Sequence, residues 1–199
     1  MAVRTAVLAS GGGTNLQALI DHLEMLGTRA AARIAVVAAN REATGALDRA
    51  RASSIPTEVF DASDDGSALL DLLHRHSIEL LVLAGYLKRI PPLVVGEYQG
   101  RIINVHPGLL PEFGGAGMYG ARVHAAVIAS GAKFTGVTAH FVDDEFDHGP
   151  VIAQWRVGVK PDDTVESLAA RVLKVEHIFY PRVVEMVAAL KGNDFFADF

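Results

Sequence analysis

The 199-residue chain contains no cysteine, which removes disulfides, thiolate zinc sites and thiol nucleophiles together. Basic residues are few and scattered. The 18 Lys and Arg stand against 23 Asp and Glu, a net charge of −5, and no basic stripe marks a nucleic-acid partner. No apolar run approaches the roughly 20 residues needed to cross a bilayer, so no membrane partner is expected. The stretch Ala6–Ala9 is too short for a signal core and runs into glycines, so the expected location is cytoplasmic. With one tryptophan, Trp155, an aromatic cofactor box is not expected; Trp155 and the phenylalanines near the C-terminus read as packing or tail residues.

What is present is apolar and alternating. Half the residues are hydrophobic, enough for the core of one α/β domain and too few for two comfortable ones. Thr5–Ser10, Ile34–Ala38, Leu80–Ala84 and Ile102–Val105 read as short buried strands, with helical spacing in Leu16–Leu26, Gly45–Ser53 and Ser67–His76. This order predicts a single α/β domain: a mostly parallel twisted sheet flanked by helices, with a Rossmann-like N-terminal half. After a Gly- and Pro-rich stretch, Pro107–Gly120, the pattern predicts a helix over Ala121–Ser130 and strands over Thr135–Val142 and Val151–Val159. A final helix is expected from near Asp163, where Glu166 completes a capping-box pattern, with Pro181 kinking or dividing it.

Two stretches carry chemistry. Ser10-Gly11-Gly12-Gly13-Thr14-Asn15 links the first strand to the first helix, where glycine N–H groups and the helix dipole suit an anion. No Lys-Ser/Thr follows, and Leu16 stands where a dinucleotide fingerprint has its third glycine. A monophosphate ester fits better than a triphosphate or NAD, although a ligand-free tight turn can have the same composition. In Asn104-Val105-His106-Pro107 the spacing puts Asn104 and His106 on one face at the carboxyl edge of the sheet. An amide able to stabilise an oxyanion beside an imidazole able to move protons is a catalytic pair, or else a polar strand end. In Asp143-Asp144-Glu145-Phe146-Asp147 the catalytic reading pairs one carboxylate with His106 and raises its pKa; the other reading is a solvated acidic turn. His74 and His76, two apart, fall on different helix faces and form no metal site. His22, His74, His76 and His124 read as solvated or satisfied positions.

On these residues the sequence resembles the glycinamide ribonucleotide formyltransferase family. VLASGGGTNLQALID, LAGYLKRI, IINVHPGLLPEF, GVTAHFVDDEFDHGPVIAQ and VEHIFYP occur in order along nearly the whole chain. The Asn-x-His-Pro stretch with a distant Asp-x-Gly-Pro is shared by a wider superfamily of folate formyl transfer and hydrolysis. The resemblance implies a formyltransferase-type fold. It also implies formyl transfer from 10-formyltetrahydrofolate, as co-substrate and without a metal, to the amine of 5'-phosphoribosylglycinamide. The first half, 1–100, would bind phosphate and the second, 101–199, would hold folate and the catalytic groups. Asn104, His106 and Asp147 would be catalytic. Gly11, Gly12, Gly13, Thr14, Asn15, Pro107, Gly108 and Glu176 would hold the ribonucleotide. Leu87, Lys88, Arg89, Ile90, Asn104, Val142, Asp143, Asp144 and Asp147 would border the folate, and His140 would lie on the substrate side. The expected partners are small molecules, and the protein a monomer or homodimer.

Two features depart from many members. Asp61–Asp65 is acidic where a basic residue often meets the folate tail, leaving Lys88 or Arg89 to compensate. The loop FGGAGMYGARVH is long and glycine-rich, read here as a flap over the ribonucleotide. The rival functions are formyltetrahydrofolate hydrolysis, initiator-tRNA formylation and a non-catalytic folate or nucleotide module. The first would bring a further N-terminal domain, and the second a C-terminal domain with a basic face.

Overall fold

A computed structural model describes residues 1–190. Seven strands form one sheet: β1 (Val3–Leu8), β2 (Ala32–Ala39), β3 (Thr57–Val59), β4 (Leu80–Leu83), β5 (Ile102–His106), β6 (Phe134–Phe141) and β7 (Val151–Gly158), in the order β3-β2-β1-β4-β5-β6-β7. The first five run parallel, and β6 pairs antiparallel with both β5 and β7; the alternating pattern predicts the mostly parallel sheet. Parallel strands need helical crossovers, whereas β6 and β7 are joined by a short loop.

Helices cover both faces. On one lie α1 (Thr14–Leu26), α2 (Gly45–Ala52), α5 (Ala121–Ser130) and α6 (Val165–Leu190), around a core that includes Val7, Leu16, Leu47, Val123 and Leu168. On the other are α3 (Ser67–Arg75) and α4 (Pro92–Glu97), packed over Ala6, Leu8, Leu81 and Ile102. Successive residues of β1 thus enter different cores, which is why parallel strands read as unbroken apolar runs. Two elements gave no sequence signal, the three-residue β3 and the one-and-a-half-turn α4, both too short to show a period. No helix among the described residues is long and apolar enough to cross a membrane.

Two expectations about α6 need correction. Its cap is Thr164: Ser167 N–H donates to Thr164 Oγ1 at 3.2 Å, and Thr164 N–H donates to Ser167 Oγ at 3.0 Å. Asp163 is instead spent on Arg171, with contacts of 2.8 and 2.5 Å. Nor does Pro181 divide the helix, which runs to Leu190. Proline removes one intrahelical hydrogen bond, but Phe179, Tyr180, Val183 and Val184 around it are all buried. Tyr180 Oη donates to Leu83 O at 2.9 Å and lies 3.1 Å from Ile103 O. Tertiary packing on both sides of the proline outweighs the missing bond.

Trp155 is 48% exposed on the edge strand β7 and is not a packing residue of the core. The C-terminal phenylalanines lie outside the described residues.

Candidate active site

The chain order reverses between β1 and β4, and open α/β sheets place ligands at such a switch point, beyond the strand carboxyl ends. The glycine loop leaves β1 there and the Gly85–Ile90 segment leaves β4. They are tied together, since Ser10 N–H donates to Gly85 O at 3.1 Å and Leu87 N–H to Ser10 Oγ at 3.3 Å. Gly13 begins α1 at φ +72°, and a Cβ there would lie 2.6 Å from Ala46 Cα. Only glycine fits both the backbone angle and the contact.

Next to this lies a cavity of about 500 Å³. Asn15, Leu87, Lys88, Arg89, Ile90, Asn104, His106, Pro107, Val142, Asp143, Asp147 and Glu176 line it, together with His124 and His140. Gly11, Gly12, Gly13, Thr14, Gly108 and Asp144 were named with them but do not line it. The expected residues thus form one cavity wall with a separate glycine loop at its side, bridged by Asn15.

Asn104 and His106 project from β5, opposite His140 and Thr138 of β6. Asp147 comes from the β6–β7 loop, at φ +55°, a left-handed conformation that aspartate tolerates better than most residues. Its loop packs tightly: a Cβ on Gly149 would sit 2.1 Å from Phe141 O, which accounts for the glycine in Asp-x-Gly-Pro. The Asp147 carboxylate spans two imidazoles, Oδ2 lying 3.4 Å from His106 Nδ1 and Oδ1 3.5 Å from His140 Nε2. Gly115 N–H donates to Oδ2 at 3.1 Å. Burial pushes the Asp147 pKa up, but its contacts with His140, His106 and the Gly115 N–H together hold it below the usual value.

His106 behaves differently from the sequence expectation. Burial pushes its pKa down and outweighs both Asp147 and the Phe113 carbonyl. The geometry agrees. Nε2 lies 2.7 Å from Phe113 O, which can only accept, so the ring proton sits on Nε2. A neutral ring then has no proton at Nδ1, and 3.4 Å to Asp147 is longer than the roughly 2.7–2.9 Å of a charge-assisted bond. The pairing with Asp147 is present, yet desolvation decides the net direction.

Around this centre several groups have fixed partners. His140 Nδ1–H donates to Phe141 O at 2.7 Å, which leaves Nε2 to accept from Asn104 Nδ2 at 3.2 Å. One amide N–H of Asn104 is thereby held and the second is left for a ligand. Thr138 Oγ1 donates to Gly108 O at 2.7 Å, and Gln154 Nε2 donates to Leu110 O at 2.9 Å, fixing the segment that follows His106. Neither residue had a sequence signal, because their partners are main-chain atoms on a different element. Asn15 turns its side chain to Glu176, with Nδ2 donating to Oε2 at 2.6 Å, while its own Oδ1 is buried with no partner. Burial raises the Glu176 pKa against the opposing Asn15 hydrogen bond.

The two departures also resolve. Asp61, Asp64 and Asp65 accept from the N–H groups of Ser63, Gly66 and Ser67, and Asp64 also from Ala68, so the acidic stretch builds the turn into α3. The Lys88 charge acts on Asp61, and Arg89 donates to Asp144 O, latching the β4 loop to the β6–β7 loop. The glycine-rich flap lines the cavity through Gly115, Gly117, Met118, Tyr119 and Gly120.

His124 is the histidine the sequence misplaced. It is 4% exposed, lines the cavity, and its Nδ1 has no partner among the described residues. Burial, then the charge of His106, depresses its pKa below 6.5. The folded form then takes up its proton less readily than the unfolded chain. The associated stability is present above 6.5 and lost as pH falls through that value towards the folded pKa. The loss of melting temperature between pH 7.5 and pH 5.5 is therefore expected to be smaller in His124→Asn than in the parent protein. Equal losses in calorimetry would remove His124 from the acid response.

The comparisons with known proteins are consistent with this arrangement. The family described as Formyl transferase matches residues 3–184. A chloroplastic phosphoribosylglycinamide formyltransferase of Vigna unguiculata is 42% identical over 188 residues, covering 92% of this chain and 60% of that protein. The chain thus spans under two thirds of this plant relative's length. A phosphoribosylglycinamide formyltransferase of Bacillus subtilis is 35% identical, with 94% of this chain and 96% of the relative covered. The crystal structure of glycinamide ribonucleotide transformylase 1 from Geobacillus kaustophilus superposes with a TM-score of 0.86 at 36% identity, covering 94% of this chain and 100% of that one. The sheet, its antiparallel arm and the match along 3–184 lead to one conclusion: this chain belongs to the formyl transferase family.

Proposed function

We propose that this protein transfers the formyl group of 10-formyltetrahydrofolate to the amine of 5'-phosphoribosylglycinamide, a step of purine biosynthesis. The observation that carries the reading is the Asn104–His106–Asp147 cluster on the wall of a largely apolar cavity whose other end reaches the glycine loop through Asn15. The cavity takes the folate, bordered by Leu87–Ile90, Val142 and Asp143. Gly11–Asn15, Pro107 and Gly108 take the ribonucleotide, and Glu176 meets its glycinamide end. With it go the further proposals of a cytoplasmic location, a monomer or homodimer, and partners that are small molecules only.

The reaction is direct acyl transfer. The neutral amine attacks the formyl carbon, a C–N bond forms, and the carbonyl oxygen gains negative charge. The free N–H of Asn104 donates to that oxygen. His106 takes up a proton from the attacking nitrogen and becomes an imidazolium beside Asp147, its charge close to the oxyanion. The bond to the folate nitrogen then breaks, and the proton passes to that nitrogen. No covalent enzyme intermediate is needed; holding both substrates side by side supplies orientation. A substrate ammonium must first lose a proton, and a buried carboxylate of raised pKa such as Glu176 is suited to receive it.

The test follows free tetrahydrofolate released from 10-formyltetrahydrofolate, with and without the ribonucleotide, in the parent protein and in His106→Ala. Release that requires the ribonucleotide and collapses in the variant is expected. Release that ignores the ribonucleotide would make the protein a hydrolase. Tight folate binding with no release would make it a binding module.

A further inference from the structure

Three consecutive carbonyls of the glycine loop are held from one side by one segment of chain. Arg41 Nη2 donates to Ser10 O at 2.6 Å, Ala46 N–H donates to Gly11 O at 3.1 Å, and Arg49 Nε donates to Gly12 O at 2.8 Å. All three donors lie between residues 41 and 49, in the segment just after β2 and within α2. In a trans peptide the C=O and the following N–H point in opposite directions. Anchoring the carbonyls of Ser10, Gly11 and Gly12 towards α2 therefore turns the N–H groups of Gly11, Gly12 and Gly13 away from it. Among the described residues these three N–H groups have no protein partner. Left alone, a run of glycines samples many backbone conformations, and convergent N–H groups would form only part of the time. Gln17 Oε1 accepts from Arg49 Nη1 at 3.2 Å, which fixes the fork of that guanidinium as well.

We infer that Arg41 and Arg49 are positioning residues for the phosphate ester: from behind the loop they hold its carbonyls so that the N–H groups of Gly11, Gly12 and Gly13 face the ligand. This rests on the reading of that loop as the phosphate site. Neither arginine has to touch the ligand. Their guanidinium charges also lower the cost of bringing an anion to the loop. A dianionic phosphate monoester is the ligand class served, because its oxygens accept several N–H donors at once.

The experiment titrates ribose 5-phosphate into the whole protein by calorimetry and, separately, tetrahydrofolate, which reports the other part of the cavity. The variants are Arg41→Met, Arg49→Met, Arg41→Lys and Arg49→Lys. Arg51→Met serves as a control that removes a charge on α2 paired, among the described residues, with Asp48 alone. Arg41→Met and Arg49→Met are each expected to bind ribose 5-phosphate about tenfold more weakly. Their KM for the ribonucleotide should rise by a similar factor with kcat little changed, and tetrahydrofolate binding and the Arg51→Met control should stay at parent values. The lysine variants keep the charge but lose the planar fork, so they should remain several-fold weak. They also take the place of any methionine variant that fails to fold. Unchanged affinity in all four variants would overturn the inference, and full recovery in both lysine variants would reduce it to charge attraction. Failure of the parent protein itself to bind ribose 5-phosphate would overturn the phosphate reading and the inference with it. That outcome is distinct, because only then is the parent silent.

Discussion

Replacing Asn104 with alanine is expected to lower kcat by a factor of roughly 10² to 10³, the usual cost of removing one donor to a developing oxyanion. The KM values for both substrates should change much less. The side chain is half-buried, and among the described residues its hydrogen bond is to His140 Nε2 at 3.2 Å, so its removal leaves the strand pairing intact. The loss belongs to the transition state because the formyl oxygen is a weak acceptor before attack and a strong one afterwards. Steady-state kinetics with each substrate varied would show it, and a rise in KM at unchanged kcat would instead place Asn104 in ground-state binding. Asn104→Asp is the sharper companion. It keeps the shape, replaces a donor with a negative charge beside the site of developing charge, and should be at least as inactive as the alanine variant.

Tyr180→Ala is expected to destabilise the fold by about 3–5 kcal/mol, the range for deleting a large buried aromatic. For a chain of this length that is roughly 6–20 °C in melting temperature. Tyr180 is fully buried in α6, and its hydroxyl reaches the carbonyls of both Leu83 and Ile103, the last residue of β4 and the residue before Asn104. Burial holds that hydroxyl protonated well beyond its usual range, so the contact persists across the working pH. Tyr180→Phe keeps the ring and loses only the hydroxyl, at a cost of about 1–3 kcal/mol for the buried carbonyls left without it. Thermal melts read both. A Tyr180→Phe variant as unstable as Tyr180→Ala would mean that the hydroxyl, rather than the ring, secures the helix to the sheet.

The sheet was legible because apolar runs alternate with helical periods, and β1, β2, β4, β5, β6 and β7 each fall within two residues of the expected bounds. The short β3 and α4 escaped because they hold no full period. Asn104 and His106 were legible for a local reason: residues two apart on a strand share a face. A carboxylate of the acidic loop was one reading for a partner of His106, but the choice of Asp147, 41 positions away, came only through resemblance, since no local pattern encodes how a loop folds back over a strand end. The direction of the His106 pKa was not legible at all. Sequence shows the carboxylate that raises it but not the burial that wins. Arg41 and Arg49 look like ordinary surface charges in sequence, and only the hydrogen bonds to Ser10 O and Gly12 O give them a task.

The glycine-rich segment after Pro111 meets the cavity's imidazole and carboxylate through Phe113 O on His106 and Gly115 N–H on Asp147, and both of these are main-chain atoms. Every amino acid supplies the first, and every one except proline supplies the second. An alanine scan across Phe113–Gly120 therefore reads packing and backbone freedom while leaving these two bonds chemically possible throughout. What the segment has to preserve is its length and path. Insertions and deletions are the changes to which it is sensitive, and a mutational survey restricted to substitutions would undervalue it.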